Sequence, residues 1–319
     1  MNRRTFTRTA ISAAAVASLP AITLANHHET NSGASHSKNS FKMKFAPHLG
    51  HFKHAAGKEI LDQIRYAHDQ GFTAWEDNRM PGREPSEQKA IGALLQQLGM
   101  TMGTFVIYVD MNNPVLSGNR LDASKRARDP KAVRELLRKK ITAGIEVSKR
   151  CGAKWSTFVP AIADASVPLE YQTANVVDHL KFCAELCEPS GLTLILEPLN
   201  AVSHPGIFLQ RISHAHQICK MVDSPSVKIL DDLFHQQTTE GNLIANMKAA
   251  WDEIAYIQVG DVPGRKEPNT GEINFANIIH WLDEKGYEGI IGMEHGIKNR
   301  EPEGEQALIQ AYRSIDAKS

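Results

Sequence analysis

From Phe41 onward the chain repeats one phrase: a short apolar or β-branched run, then a longer amphipathic stretch. This alternation is the pattern of βα units wrapped around a parallel sheet. The strand candidates are Lys42 to Pro47, Ala74 to Asp77, Thr101 to Val109, Trp155 to Pro160, Thr193 to Pro198, Val227 to Asp231, Ile254 to Val259 and Gly289 to Met293. Between them, Lys58 to Gln70, Ser86 to Leu98, Ala132 to Cys151 and Tyr171 to Glu188 carry apolar residues at helical spacing. Gly71, Gly99, Gly152, Gly191 and Gly286 stand where helices of this kind end. Eight such units with no two-residue hairpin signal favour an α/β fold of one closed (β/α)8 TIM barrel over an open doubly wound sheet. No GxGxxG follows the first strand and no GxxxxGK[ST] occurs, so neither a dinucleotide nor a nucleoside triphosphate site is indicated.

The barrel accounts for residues 41–319, and the preceding residues read differently. Arg3-Arg4 with Arg8, followed by a small and apolar stretch from Thr9 to Ala25, is an export signal by pattern, and Arg3-Arg4-Thr5-Phe6 resembles the twin-arginine type. A general secretory signal is the alternative. Residues 26–40 form a polar, His-containing linker with too little apolar surface to pack. The expected localisation is therefore periplasmic or secreted, with the twin-arginine export machinery as a partner and no stable membrane anchor. Cys151, Cys183, Cys187 and Cys219 have neither CxxC nor zinc-finger spacing and read as buried thiols. With 36 Lys and Arg against 36 Asp and Glu the net charge is zero, which speaks against a nucleic-acid partner. A small-molecule substrate is expected, and a homo-oligomer is compatible with the sequence.

In a barrel, chemistry sits at the C-terminal ends of the strands. Four successive strand ends each deliver an oxygen ligand: Glu197, Asp232, Gln258 and Glu294, separated by 35, 26 and 36 residues, about one βα unit each. One acidic residue at a strand end is more often a helix cap. Four in corresponding positions point to a site, and three carboxylates converging there would repel one another without a cation. An oxygen-rich set without thiolates suits Mn²⁺ or Mg²⁺ better than Zn²⁺. Asp231 and Asp232 are sent to opposite sides by strand alternation; the motif Asp232-Leu233-Phe234-His235 favours Asp232 as the ligand, with Asp231 nearer a structural role.

The segments Glu197-Pro198-Leu199-Asn200, Asp232-Leu233-Phe234-His235, Ile257 to Arg265, Glu267 to Phe275 and Gly292-Met293-Glu294 resemble the hydroxypyruvate isomerase family of xylose-isomerase-like TIM barrels. The resemblance spans the chain after its N-terminal segment, and Pro263 to Phe275 is its most specific part. It implies that Glu197, Asp232, Gln258 and Glu294 hold a divalent metal and that Glu197 and Glu294 double as the acid/base pair. It further implies that His235 contacts substrate oxygens and that Arg265 holds a carboxylate or hydroxyl of the substrate. A surface pairing of Arg265 with Glu267 is the alternative for that residue, and Glu272 is expected to order its loop.

This set suits metal-dependent interconversion of an α-hydroxy aldehyde and ketone through an enediolate, with two carboxylates moving the proton. Ala201 to His204 and Glu294-His295-Gly296 depart from the family pattern, and the polar strand ends Pro47 to His51 and Trp75 to Asn78 could also face a substrate. The substrate therefore stays open, and two other readings remain: an exported epimerase or lyase acting on a keto-sugar, and a non-catalytic exported sugar-binding protein. A three-zinc DNA-repair endonuclease is disfavoured by the neutral charge and by Gln258.

Overall fold

The computed structural model describes residues 40–316. The expected export signal and all but the last residue of the expected linker lie outside the described residues. Among those described, no helix is long and apolar enough to cross a membrane.

The strands are β1 (Lys44–Ala46), β2 (Ala74–Trp75), β3 (Thr101–Met102), β4 (Val106–Tyr108), β5 (Trp155–Phe158), β6 (Thr193–Leu196), β7 (Val227–Asp232), β8 (Ile254–Gln258) and β9 (Ile290–Gly292). Seven form one parallel sheet in the order β1-β9-β8-β7-β6-β5-β4, and β2 pairs in parallel with β3. The gap between the two sheets is laced: His48 bridges Glu76, Glu76 N donates to Pro47 O (3.0 Å), and Val106 N donates to Asn78 O (3.3 Å). The ring thus closes as a (β/α)8 barrel. The third strand, expected unbroken from Thr101 to Val109, is divided at Gly103 to Phe105. A Cβ on Gly103 would come within 2.5 Å of the Tyr256 hydroxyl, which reaches across the barrel interior to this point.

Helices follow the strands much as the spacing indicates: Ile60–Asp69, Pro85–Leu98, Pro130–Cys151 and Leu169–Cys187. Pro85 and Pro130 occupy first helical turns, where the missing N–H is not needed, and Gly99 and Gly152 close their helices in the left-handed conformation. All four cysteines are free and buried.

Strand alternation sorts the side chains. Phe45, Trp75, Leu194, Leu196, Ile229, Ile257 and Ile291 join the large core between sheet and helices, whereas Ala46, Ala74, Ile195, Leu230, Tyr256 and Ile290 form a separate apolar layer inside the ring. Two residues beyond those interior positions the same face continues with His48, Glu76, Glu197, Asp232, Gln258 and Gly292. The period of two therefore stacks a polar layer directly on an apolar one. Gly292 is required there, because Glu76 crosses the barrel beneath it and a Cβ would lie 2.1 Å from Glu76 Oε2. Gly292→Ala is expected to cost about 1–3 kcal/mol by overpacking. Urea unfolding measures this, and an unchanged midpoint would contradict the crossing of Glu76.

Candidate active site

Glu197 and Glu294 lie just past β6 and β9, and Asp232 and Gln258 end β7 and β8 as register partners. Glu197, Asp232 and Gln258 are buried, and the Glu294 side chain is 23 % exposed at the barrel mouth. Oxygens of Glu197 and Asp232 and a ring nitrogen of His235 all lie within 4.8 Å of one another, a spacing that can hold a metal ion.

The surrounding hydrogen bonds define each group's role. Asn200 Oδ1 accepts from Ser203 N (2.7 Å), which turns the Asn200 amide nitrogen toward His235 Nδ1 at 2.6 Å; the Asn200 backbone N–H donates to the same nitrogen at 3.1 Å. With two donors aimed at it, Nδ1 is the bare nitrogen, so the proton sits on Nε2. That N–H faces Glu197 Oε1 at 3.7 Å and Asp232 Oδ2 at 3.6 Å. His235 is thereby built as a hydrogen-bond donor into the site, a role that suits contact with a substrate oxygen better than metal ligation. Burial pulls its pKa down to about 4, which keeps the ring neutral.

Gln258 is oriented by the opposite logic. Its Nε2 donates to Glu76 Oε1 (2.8 Å), while Tyr256 donates its hydroxyl to Glu76 Oε2 (2.8 Å). Among the described residues Gln258 Oε1 is left buried with no hydrogen-bond partner, Glu294 Oε2 has an ion-pair contact to Arg265 but no hydrogen bond, and the Glu197 carboxylate makes no side-chain hydrogen bond. Such orphaned acceptors are costly unless a cation satisfies them. Asp232 is partly occupied, since its Oδ1 caps the following helix by accepting from Phe234 N (2.9 Å).

The positive charge facing this cluster is Arg265, which turns inward and does not pair with Glu267. Its Nη2 forms a short ion pair with Asp232 Oδ2 and lies 3.3 Å from Glu294 Oε2, and the guanidinium stacks over Phe234. Arg265 holds a left-handed backbone (φ 51°), a conformation that costs a non-glycine residue on the order of 1 kcal/mol. Asp261 imposes it: its carboxylate gathers the N–H groups of Val262, Thr270, Gly271 and Ile273, tying the loop into one unit. Glu272, as expected, serves the loop, accepting from Gln237.

One guanidinium cannot neutralise three carboxylates. Burial, reinforced by Glu294 and Asp232, holds Glu197 well above the usual carboxylate range, and Arg265 only partly opposes this. Burial likewise raises Glu294 to about 7 and Glu76, beneath the site, to about 8. The carboxylates, the free amide oxygen and the charge deficit together fit a divalent ion.

The description of the family whose model matches residues 64–316 is "xylose isomerase-like TIM barrel", and the chain belongs to that family. It is 35 % identical over 138 residues to the 2-oxo-tetronate isomerase of Cupriavidus necator, covering 43 % of this chain and 52 % of that one. It is 26 % identical over 263 residues to a putative hydroxypyruvate isomerase of Drosophila melanogaster, covering 82 % and 95 %. For the first-named relative the chain spans about half its length. These likenesses bear out the family resemblance carried by the motifs. Among solved structures, a 3-keto-D-glucoside 4-epimerase from E. coli superposes with TM-score 0.67 at 19 % identity over 86 % of this chain and all of that one, which shows a shared fold. A similar likeness in fold extends to the IOLI protein with a bound zinc atom (TM-score 0.64, 19 % identity, 86 % of this chain and 96 % of that one).

A carboxyl raised from 4.5 to about 7 keeps its proton in the folded state, so Glu294 withdraws stability from the metal-free protein as pH rises through that window; Glu197 acts in the same direction. A cation binds the ionised form. The rise in Tm given by saturating Mn²⁺ is therefore expected to be larger at pH 8 than at pH 5.5 in scanning calorimetry, and equal increments would contradict the site.

Proposed function

We propose that this chain is a divalent-metal-dependent isomerase of α-hydroxy carbonyl compounds, hydroxypyruvate-like in chemistry, with Glu197, Asp232, Gln258 and Glu294 as the metal ligands. The observation that supports this reading is that Glu197, Asp232, Gln258 and Glu294 stand at the C-terminal ends of successive strands, with oxygens of Glu197 and Asp232 within 4.8 Å of each other and Gln258 Oε1 without a hydrogen-bond partner among the described residues. The metal is Mn²⁺ or Mg²⁺, because the donors are hard oxygens and His235 presents N–H rather than a lone pair. When bound, such an ion polarises a carbonyl and stabilises the charge of an enediolate.

The chain's own residues supply the rest. Interconverting a hydroxy aldehyde and a ketone moves one proton from the hydroxyl-bearing carbon to the carbonyl carbon and a second from that hydroxyl to the carbonyl oxygen. Glu197 and Glu294 are the two carboxyls that take and return the carbon-bound proton in this reading, and burial that holds both above the usual carboxylate range suits acid/base work near neutral pH. His235 Nε2–H donates to a substrate oxygen, and Arg265 supports the negative charge of the cluster. Named isomerases among the relatives and epimerases among the structural neighbours agree with proton transfer beside a carbonyl. An epimerase on a keto-sugar would use the same groups, with the proton returned to the carbon it left.

Glu197→Gln and Glu294→Gln are each expected to lower deuterium uptake from D₂O into substrate by about 10²-fold or more, the scale of a lost acid/base group, with circular dichroism unchanged. Elemental analysis of protein isolated without chelator should give one divalent ion per chain. Normal turnover in either variant, or three zinc ions per chain, would refute the assignment.

A further inference from the structure

The pocket above the acidic cluster has a wall of opposite charge. It encloses about 470 Å³ and is lined by Glu294 and Arg265 on one side and by His48, Asn78, Arg79 and Arg83 on another. Its three guanidinium groups are not equivalent. Arg83 is committed, with Nε on Asp77 Oδ2 and Nη1 on Glu87 Oε1, both at 2.5 Å. Arg265 is committed to Asp232 and Glu294. Arg79 is exposed to the pocket, and its side chain makes no hydrogen bond or ion pair among the described residues.

Its backbone is nevertheless fixed. Arg79 N donates to Asp77 Oδ1 (3.1 Å), Met80 N donates to Asp77 O (3.0 Å), and the Asp77 carboxylate is itself clamped by Arg83. The neighbouring Asn78 donates its Nδ2 to Glu294 Oε1 (3.2 Å), so this loop sits directly against a proton-transfer carboxyl. Asp77, the other acid lining the pocket besides Glu294, is neutralised by Arg83, which leaves Arg79 as the pocket's unspent positive charge.

We propose that Arg79 determines substrate specificity by binding the carboxylate of a short hydroxy-keto acid, so that the substrate is an acid rather than a neutral keto-sugar. This rests on the isomerase reading above. Around the proposed cation, the floor of the site offers a substrate carboxylate mainly acceptor oxygens, besides the His235 N–H and the paired Arg265. The carboxylate gains most at the wall where an unpaired guanidinium offers a bidentate fork in a partly enclosed space. Arg79 is the pocket guanidinium with no carboxylate partner among the described residues, whereas Arg265 is paired with Asp232 and Glu294.

The test compares wild type, Arg79→Gln and Arg79→Lys on hydroxypyruvate and on dihydroxyacetone, its neutral counterpart, by deuterium uptake. Arg79→Gln is expected to raise KM for hydroxypyruvate about tenfold or more, the loss of a charge-assisted pair, with kcat little changed. Arg79→Lys should recover part of the loss, and KM for dihydroxyacetone should not move. Equal effects on both substrates, no effect, or wild-type preference for dihydroxyacetone or its phosphate would overturn the proposal. Calorimetric titration of hydroxypyruvate into the metal-loaded wild type and Arg79→Gln separates this inference from the isomerase reading. Tighter binding to wild type without deuterium uptake would sustain Arg79 and sink the reaction, whereas deuterium uptake with equal binding would do the reverse.

Discussion

Three carboxylates share the floor of this pocket with one guanidinium, with Glu197 and Asp232 buried. That imbalance is the constraint on which the rest of the site depends. It raises the affinity of Glu197 and Glu294 for protons, draws Arg265 inward against a strained backbone, and leaves acceptors such as Gln258 Oε1 without a donor. The divalent ion of the proposed function would supply the missing charge and a partner for that oxygen at once, while the same crowding raises the carboxyl pKa values toward neutral pH.

The barrel holds this unfavourable arrangement in place through residues that do not themselves face a substrate. Glu76 and Tyr256, crossing beneath the site, set the direction of the Gln258 amide; Asn200 sets the tautomer of His235; Asp261 sets the loop that delivers Arg265. Each uses a buried polar group with its hydrogen bonds satisfied to fix one functional atom. Below them the apolar layer of Ile195, Leu230, Tyr256 and Ile290 fills the interior, so the polar layer rests on a packed support.

Much of this was legible in the sequence because it depends on local period. Apolar runs ending in Glu197, Asp232, Gln258 and Glu294 reveal both the strands and the face those residues take, and alternation puts Asp231 and Asp232 on opposite sides, while the motif decides for Asp232. The division of the third strand was not legible, since it answers to a tyrosine far along the chain at Tyr256. Glu76 read as a group that might meet substrate, yet it lies under the site, because only the closed ring brings it to Gln258, 182 residues away. Arg265 lines the pocket, but its engagement with Asp232 and Glu294, and the lack of such a partner for Arg79, emerge only when loops distant in sequence meet.

In the proposed function, oxygens from Glu197, Asp232, Gln258 and Glu294 surround one cation while His235 offers a hydrogen bond from outside that set. An anomalous difference map at the manganese edge, from crystals grown with Mn²⁺, tests it directly. The account predicts one peak per chain ligated by those four side chains, with His235 Nε2 not among the ligands. A peak bound through His235 in place of Gln258, or none at saturating Mn²⁺, would contradict it.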